Sequence, residues 1–198
     1  MHLLHSGSAA SPVPPTRHVS DEVDHLCECT RETYLAAMRQ VAGSVAVVTT
    51  DGPAGRQGAT VTAFCSVSAD PPTVLVCLRS GSRIAEAVQA NGVFTLNVLP
   101  ENADLIARTF AGAFDSLHQD RFAGVDLIEE VGLAPAIGGT LSLACRVARH
   151  GGHESHTIFF GAVASIGHRL LPPLAYHDGG YCGLRAIPQT PASSLRTE

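Results

Sequence analysis

Residues 58–72 read GATVTAFCSVSADPP, an extended run rich in Thr, Val and Ser that a proline pair ends. Side chains alternate between the two faces of a strand, so a single strand over 59–68 would be hydroxyl-lined on one face. Four of the five even-numbered residues on that face carry a hydroxyl group: Thr60, Thr62, Ser66 and Ser68. It is typical of a half-exposed strand, because Thr favours strands, and it would equally suit a polar ligand such as a phosphate-bearing cofactor.

The chain on both sides of this run predicts mostly strands. Hydrophobic spacing and turn signals predict a helix that Thr30 caps and Gly43 ends, and further helices over 80–92 and 101–112. Strands are predicted over 44–50, 73–79, 93–99, 140–150, 155–168 and 172–184. Since regular alternation of strand and helix is absent, the pattern favours a mainly β fold, a small antiparallel barrel with a few short helices at its rim.

Length and composition predict one domain with a tail at each end. The chain has 198 residues, of which 45% are hydrophobic, and its formal net charge is −5. We expect the domain over 30–187, a disordered tail over 1–29 and a mobile tail over 188–198. The sequence has no cluster of basic residues that would bind nucleic acid, and it has no apolar run long enough for a membrane span. The N-terminus also lacks a signal-peptide pattern, so a cytoplasmic location is expected.

The six cysteines do not predict a structural zinc site. Cys27 and Cys29 form a C-x-C pair without a second pair elsewhere, whereas zinc sites usually combine two pairs with wider spacing. The remaining four are expected to be small core residues, since they lie singly in apolar segments. These four are Cys65, Cys77, Cys145 and Cys182.

Three histidines recur in HGGHESHTIFFG, residues 150–161. They are His150, His153 and His156, and their spacing would place them on one face of a helix. Two glycines and the run TIFF indicate instead a turn that leads into a strand, where residues three apart point to opposite faces. We therefore favour solvated loop histidines over a metal site, although a tight loop would still gather the rings.

A second candidate site is the stretch RSGSRIAEA, residues 79–87. A serine-rich turn at a helix start offers free backbone N–H groups and the positive end of the helix dipole, and Arg83 adds a cation. This is a reasonable phosphate site, although serine is also an ordinary helix cap.

Several segments together carry a resemblance to a known family. In order, they are MRQVAGSVAVVTT, GATVTAFCSVSADPP with TVLVCL, GVFTLNVL, DRFAGV, HTIFFGAV and PPLAYHDGGYCGL, between about Arg31 and Leu184. The chain resembles the flavin reductases of the FMN-binding split-barrel fold, the reductase components of two-component flavin-dependent monooxygenases. The resemblance implies an antiparallel split β-barrel, a homodimer, and a flavin held near the dimer interface.

The resemblance also implies which residues hold the flavin. The family's flavin-binding strand matches Thr60, Val61, Thr62, Ala63, Phe64, Ser66 and Val67. The positions beside the flavin phosphate match Gly81, Ser82 and Arg83. The second group coincides with the phosphate site that the helix start suggests.

The nicotinamide side is implied by two further segments. Family members usually have Gly-Asp-His before TIFFG; here Glu154, Ser155 and His156 occupy those positions, and only the histidine matches. His156 is therefore the expected catalytic residue near the nicotinamide or flavin, and the loss of the acid leaves its orientation open. Asp178 and Tyr181 match a stretch on the pyridine-nucleotide side, although Tyr181 also suits an ordinary half-buried strand position.

The expected activity is NAD(P)H:flavin oxidoreduction, with FMN or FAD as flavin and NADH or NADPH as co-substrate. Reduced flavin would then pass to a partner monooxygenase, by contact or by free diffusion. Three alternatives remain open: a non-enzymatic flavin carrier on the same barrel, a zinc protein that uses the histidine triplet, and a protein of the pyridoxamine-phosphate-oxidase-like branch. The motifs SVS with DPP, and HTIFFG, argue against the last.

Overall fold

The computed structural model describes residues 28–117, 120–167 and 171–187. Nearly all of the two predicted tails, together with Cys27, lies outside these ranges. The helices are α1 (Arg31–Arg39), α2 (Arg83–Asn91) and α3 (Asp104–Phe110). The strands are β1 (Gly43–Ser44), β2 (Ala46–Thr50), β3 (Gln57–Val61), β4 (Phe64–Ala69), β5 (Pro72–Arg79), β6 (Val93–Val98), β7 (Leu127–Ile128), β8 (Ala136–Ile137), β9 (Leu141–His153), β10 (His156–Gly167), β11 (Leu174–His177) and β12 (Gly180–Gly183).

Seven strands form the main sheet, in the order β3-β2-β6-β9-β10-β5-β4, and every pairing within it is antiparallel. Its two edge strands, β3 and β4, are consecutive in the chain and separated only by Thr62 and Ala63. The sheet must therefore curl until its edges meet at this bend, which makes a barrel that is split between β3 and β4. A small sheet of β1, β11 and β12 and a two-stranded sheet of β7 and β8 complete the fold. The predicted antiparallel split barrel is confirmed.

The prediction of one strand over 59–68 is wrong. The chain bends at Thr62 and Ala63, where β3 leaves its partner β2 and β4 joins its partner β5. A second irregularity between Ser66 and Ser68 shifts the register within β4. Because a bend and a bulge interrupt the period of two, the hydroxyl groups of this run do not share one continuous face.

Two hydrophobic clusters share strand β2, all of whose residues are buried. Ala46 and Val48 belong to the cluster inside the barrel, with Phe94 and Phe159 among its buried members. Val47 belongs to a second cluster outside the barrel. That cluster also includes Leu99, Ala107, Phe110 and Leu174. The second cluster fixes α3 against the outer side of the barrel.

The helix caps agree with the sequence in two places. Thr30 caps α1, and Ser82 caps α2 by accepting a hydrogen bond from the backbone N–H of Ala85. Helix α1 ends at Arg39, before the predicted end at Gly43, and none of its residues is buried. Four large apolar side chains on and just after this helix are 43–57% exposed: Tyr34, Leu35, Met38 and Val41.

The cysteines only partly meet their expectation. Cys145 is buried, and burial raises its pKa to about 12. Cys77 is half-buried, and burial raises its thiol pKa as well. Cys65 and Cys182 are exposed, so the prediction of four core cysteines is wrong for these two. The reason is that Cys65 lies on an edge strand and Cys182 on a strand of the small sheet. None of the helices in the described ranges is long and apolar enough to cross a membrane.

Candidate functional site

A cavity of about 850 Å³ opens beside the edge of the barrel. Its walls are β3, the start of α2 and the segment that follows α3. The residues that line it include Arg56, Gly58, Thr60, Arg79, Ser82, Arg83, Phe110, Asp115, Arg121 and Phe122. Three predicted site residues therefore lie together here: Thr60, Ser82 and Arg83.

One end of the cavity is the turn that begins α2. Ser82 adopts an extended backbone conformation and donates its hydroxyl hydrogen to the carbonyl oxygen of Arg79 over 2.6 Å. Gly81 has φ +70°, a conformation that favours glycine. This turn directs the N-terminus of the nine-residue helix α2 at the cavity. The turn and helix dipole suit an anion, as the sequence predicts.

The four arginines of the cavity differ in their partners. Arg56 pairs with Asp51 and Glu129 at 2.7 and 2.8 Å. Arg121 pairs with Asp115, and this hydrogen-bonded pair lowers the pKa of the carboxyl group. Over the described ranges, Arg79 and Arg83 form no ion pair within 4 Å. The arginines that form no ion pair are therefore at the end of the cavity where α2 begins, and the charge of Arg83 also helps to lower the pKa of Asp115.

The opposite wall is held by Arg121. Its Nη1 donates to the carbonyl oxygens of Gly58 and Phe110 at 3.3 and 3.1 Å, so it fastens the segment after α3 to strand β3. Phe110 and Phe122 pack edge to face with ring centroids 5.0 Å apart. A Cβ atom on Gly58 would lie only 2.5 Å from the Phe110 ring, so this close packing requires a glycine.

The predicted flavin-binding residues 60–67 span the split between β3 and β4. Thr60 donates its hydroxyl hydrogen to the carbonyl oxygen of Ala107 over 2.7 Å, which ties α3 to β3. Val61 and Phe64 pack against the barrel core, whereas Thr62, Ala63, Ser66 and Val67 are exposed. Because β4 is an edge strand of the main sheet, backbone groups on its outer side have no strand partner in the described residues.

His156 begins β10 and faces two strands. Its register partners are His153 on β9 and Arg79 on β5. Its Nδ1 lies 2.9 Å from the hydroxyl oxygen of Ser155. Arg79 lines the cavity, so the pairing places His156 at the same end of the barrel as the α2 turn, although His156 is not itself part of the cavity wall.

The histidine triplet is not one cluster in this structure. His150 stacks on Phe159 with ring centroids 5.4 Å apart, whereas His153 lies across the hairpin from His156. In the described part of the chain, no group of three metal-ligating side chains comes together.

Asp178 and Tyr181 lie apart from the cavity, on the small sheet. Asp178 has φ +45° at the turn between β11 and β12, and its backbone N–H donates to the carbonyl oxygen of Arg39. Tyr181 packs on Tyr176, with Arg108 5.5 Å from its ring centroid, and burial raises its pKa. Within one chain, Asp178 and Tyr181 therefore lie away from the other predicted site residues.

Sequence reasoning missed several residues of the cavity. Arg79 lies within the stretch examined for a phosphate site, but only its lack of a carboxylate partner distinguishes it. Arg121 and Phe122 belong to the DRFAGV motif, which was used only for the resemblance. Gly58 stands at the end of a predicted turn. For Gly58, Arg121 and Phe122, the clue is a contact between residues far apart in the chain.

Comparisons with known proteins agree with this geometry. The family profile described as "Flavin reductase like domain" matches residues 38–185. A protein of Pseudomonas syringae pv. syringae named FMN reductase (NADH) RutF is 33% identical over 181 residues, which covers 90% of this chain and 99% of that protein.

Two solved structures extend the comparison. The NADH:FAD oxidoreductase SgcE6 of Streptomyces globisporus superposes with a TM-score of 0.70 at 28% identity, covering 86% of this chain and 98% of that one. The styrene monooxygenase flavin reductase of Pseudomonas putida S12 gives a TM-score of 0.68 at 27% identity, covering 79% and 99%. The fold is that of a split-barrel oxidoreductase, and the chain belongs to the flavin reductase family.

Proposed function

We propose that this protein is an NAD(P)H:flavin oxidoreductase that reduces FMN or FAD. The observation that carries the proposal is the cavity beside β3, whose α2 end combines a helix N-terminus with two arginines, Arg79 and Arg83, that form no ion pair within the described residues. Both supply what a flavin phosphate needs, namely backbone N–H donors and positive charge. Two of the similar proteins are named FMN reductase (NADH) and NADH:FAD oxidoreductase, which supports the same chemistry here.

The residues present fit a flavin on chemical grounds. Gly81, Ser82 and Arg83 would hold the phosphate, joined by Arg79. The run from Thr60 to Val67 would hold the ring and ribityl chain through backbone and hydroxyl groups, with the free edge of β4 as donor. When bound, the flavin supplies the acceptor for a hydride from the nicotinamide ring, and no protein base is required for that transfer.

The chain's own part is to bind and orient. The Phe110 and Phe122 rings and the Arg121 bridge close one wall of the cavity and restrict water there. His156 would contact the nicotinamide from the strand beside Arg79, and Asp178 and Tyr181 would complete the pyridine-nucleotide side. Placing two rings in a reactive arrangement is itself a large part of such catalysis.

We further propose a homodimer. Helix α1 buries no residue of its own, and an isolated nine-residue helix is marginal in water, so its apolar side needs a partner surface. A second copy would supply that surface and would bring the small sheet of one protomer toward the cavity of the other.

The proposed partner is a flavin-dependent monooxygenase that takes up the reduced flavin by contact or by diffusion. The name of the Pseudomonas putida S12 protein, styrene monooxygenase flavin reductase, supports such a pairing. The expected cytoplasmic location remains a prediction, which cell fractionation would test.

The deciding experiment is flavin-dependent NAD(P)H oxidation, measured with FMN, FAD and riboflavin in parallel and with both nucleotides. We expect rapid anaerobic bleaching of the flavin absorbance on mixing with NADH or NADPH. A protein that binds flavin but leaves it oxidised would be a carrier, and the proposed activity would be wrong.

A matched pair of variants tests the phosphate end of the cavity. We expect R83Q to weaken FMN binding roughly tenfold by equilibrium titration, because it removes a charge-assisted contact. Riboflavin, which lacks the phosphate, should bind to R83Q and wild type alike. R146Q, at an exposed arginine of β9 that lies outside both the cavity wall and α1, is the control. Equal losses for FMN and riboflavin would contradict the assignment of Arg83 to the phosphate.

A further inference from the structure

The turn between β9 and β10 consists of two residues, Glu154 and Ser155, and it determines what His156 can do. Glu154 has φ +50°, in the left-handed region where family members usually have glycine. Ser155 follows in place of the usual aspartate and makes the 2.9 Å contact to Nδ1 of His156. Over the described residues, this is the only side-chain hydrogen bond of the imidazole.

The peptide that carries Ser155 is fixed from the other side. Its carbonyl oxygen accepts a hydrogen bond from the backbone N–H of Ser80 over 2.9 Å. The hydroxyl of Ser80 lies 3.0 Å from that of Thr157, the residue after His156. The backbone on both sides of His156 is thus tied to the turn that begins α2, so the positions from which the Ser155 and His156 side chains extend are fixed relative to that turn.

We propose that Ser155 is a positioning residue that donates its hydroxyl hydrogen to Nδ1 of His156 and so holds the ring as the Nε2–H tautomer. A hydroxyl can act in this way because its hydrogen rotates to suit the partner. The other ring nitrogen is then a fixed N–H donor for an acceptor such as the carboxamide oxygen of a nicotinamide. The part that concerns the nicotinamide rests on the proposed function; the Ser155–His156 contact does not.

Ser155 is uncharged, whereas the aspartate usual at this position in the family carries a negative charge. A carboxylate beside Nδ1 would favour the charged form of the ring, whereas the hydroxyl orients it without adding charge. The charged or titratable neighbours on the elements packed against His156 are Arg79 on β5 and His153 on β9, and Glu154 precedes Ser155 in the chain. Serine therefore orients the imidazole ring without stabilising its charged form, whereas an aspartate would do both.

The first test is NMR of the ring nitrogens in the full-length protein without flavin. We expect the nitrogen shifts of His156 to show mainly the Nε2–H tautomer in wild type and S155T, and a mixture of tautomers in S155A. An Nδ1–H ring in wild type, or an unchanged ring in S155A, would overturn the proposal. Because no flavin is present, this result is independent of the activity.

The second test is kinetic. We expect S155A to raise the KM for NADH roughly three- to tenfold, the usual effect of one lost hydrogen bond, with a smaller change in kcat, and S155T to restore it. In an H156A background, S155A should have no further effect. Additive losses would show that Ser155 acts other than through His156. The NMR result could be as expected while the KM for NADH is unchanged in both S155A and H156A. That combination would contradict the nicotinamide role of His156 but not its contact with Ser155.

Discussion

Single residues of this protein set the shape of the cavity, and Gly58 is the clearest case. The glycine allows β3 to pass beneath the Phe110 ring, and the same peptide accepts a hydrogen bond from Arg121. A side chain here would push Phe110 away and open the wall that both aromatic rings form. The effect should therefore be seen in ligand binding as well as in stability.

We expect G58A to reduce the free energy of unfolding by about 1–3 kcal/mol, the usual cost of overpacking, and to weaken flavin binding. Chemical denaturation and flavin titration would measure the two effects. G151A is the matched control, because a Cβ atom on Gly151 meets nothing within 4 Å. A G58A protein as stable as G151A would contradict the close packing.

Residues also show where the sequence is informative. Thr30 caps α1 as predicted, and of the two serines that the sequence offers at the start of α2, Ser80 and Ser82, it is Ser82 that caps the helix. A cap depends on the next three residues alone, so the sequence is informative here. The exposure of Cys65 and the role of Arg121 depend on partners elsewhere in the chain, and Gly58 is 63 positions from the arginine that contacts it. Local patterns cannot show such contacts.

At the scale of elements, the bend between β3 and β4 had the largest effect on prediction. Strand signals over 59–68 are continuous in the sequence, and nothing local marks Thr62 and Ala63 as a corner. The bend exists because each half pairs with a different strand, and pairing is decided by the whole sheet. The other strands of the main sheet and helices α2 and α3 follow their predicted positions closely, because turn residues bound them on both sides.

The segment after α3 gives a prediction for pH. The pKa of Asp115 is lowered from its usual value of 3.8 by the hydrogen bond to Arg121. A depressed pKa in the folded state means that the pair stabilises the protein above the unfolded-state pKa and that this contribution disappears as the pH falls through the lower, folded-state value. We expect D115N to lower the Tm at pH 7, and we expect a smaller difference from wild type at a pH below 3.8.

Thermal melts followed by circular dichroism at the two pH values would measure this difference. D120N is a suitable control, because Asp120 accepts a backbone hydrogen bond from Phe122 but forms no arginine pair within the described residues. A D115N deficit that stays constant between the two pH values would show that the carboxylate charge is not its source.

At the scale of the whole molecule, the residues predicted for the site do not all lie together in one chain. The cavity, the turn that begins α2 and His156 lie at one end of the barrel, whereas Asp178 and Tyr181 lie on the small sheet. The sequence resemblance predicts all of these residues but cannot say which protomer contributes each. A dimer in which α1 packs against a second copy would explain both the exposed helix and the divided site.

We expect the wild-type protein to be a dimer by size-exclusion chromatography with light scattering, and the L35E/M38E variant to be a monomer with unchanged circular dichroism. Both side chains are exposed in one chain, at 43% and 45%, so their replacement should disturb association more than folding. L105E, at a leucine of α3 that is 64% exposed, is the control for an added glutamate. A wild type that stays monomeric up to millimolar concentration would contradict the homodimer.

Strand β2 has a consequence for how the molecule comes apart. It is the wall between the two hydrophobic clusters, with Ala46 and Val48 on one side and Val47 on the other. Because both clusters pack against this strand, the strand cannot leave the sheet without exposing both of them. This shared strand should therefore make the two clusters unfold together, and calorimetry should give a single transition. The amide hydrogens of β2 should exchange with solvent only when the entire domain unfolds.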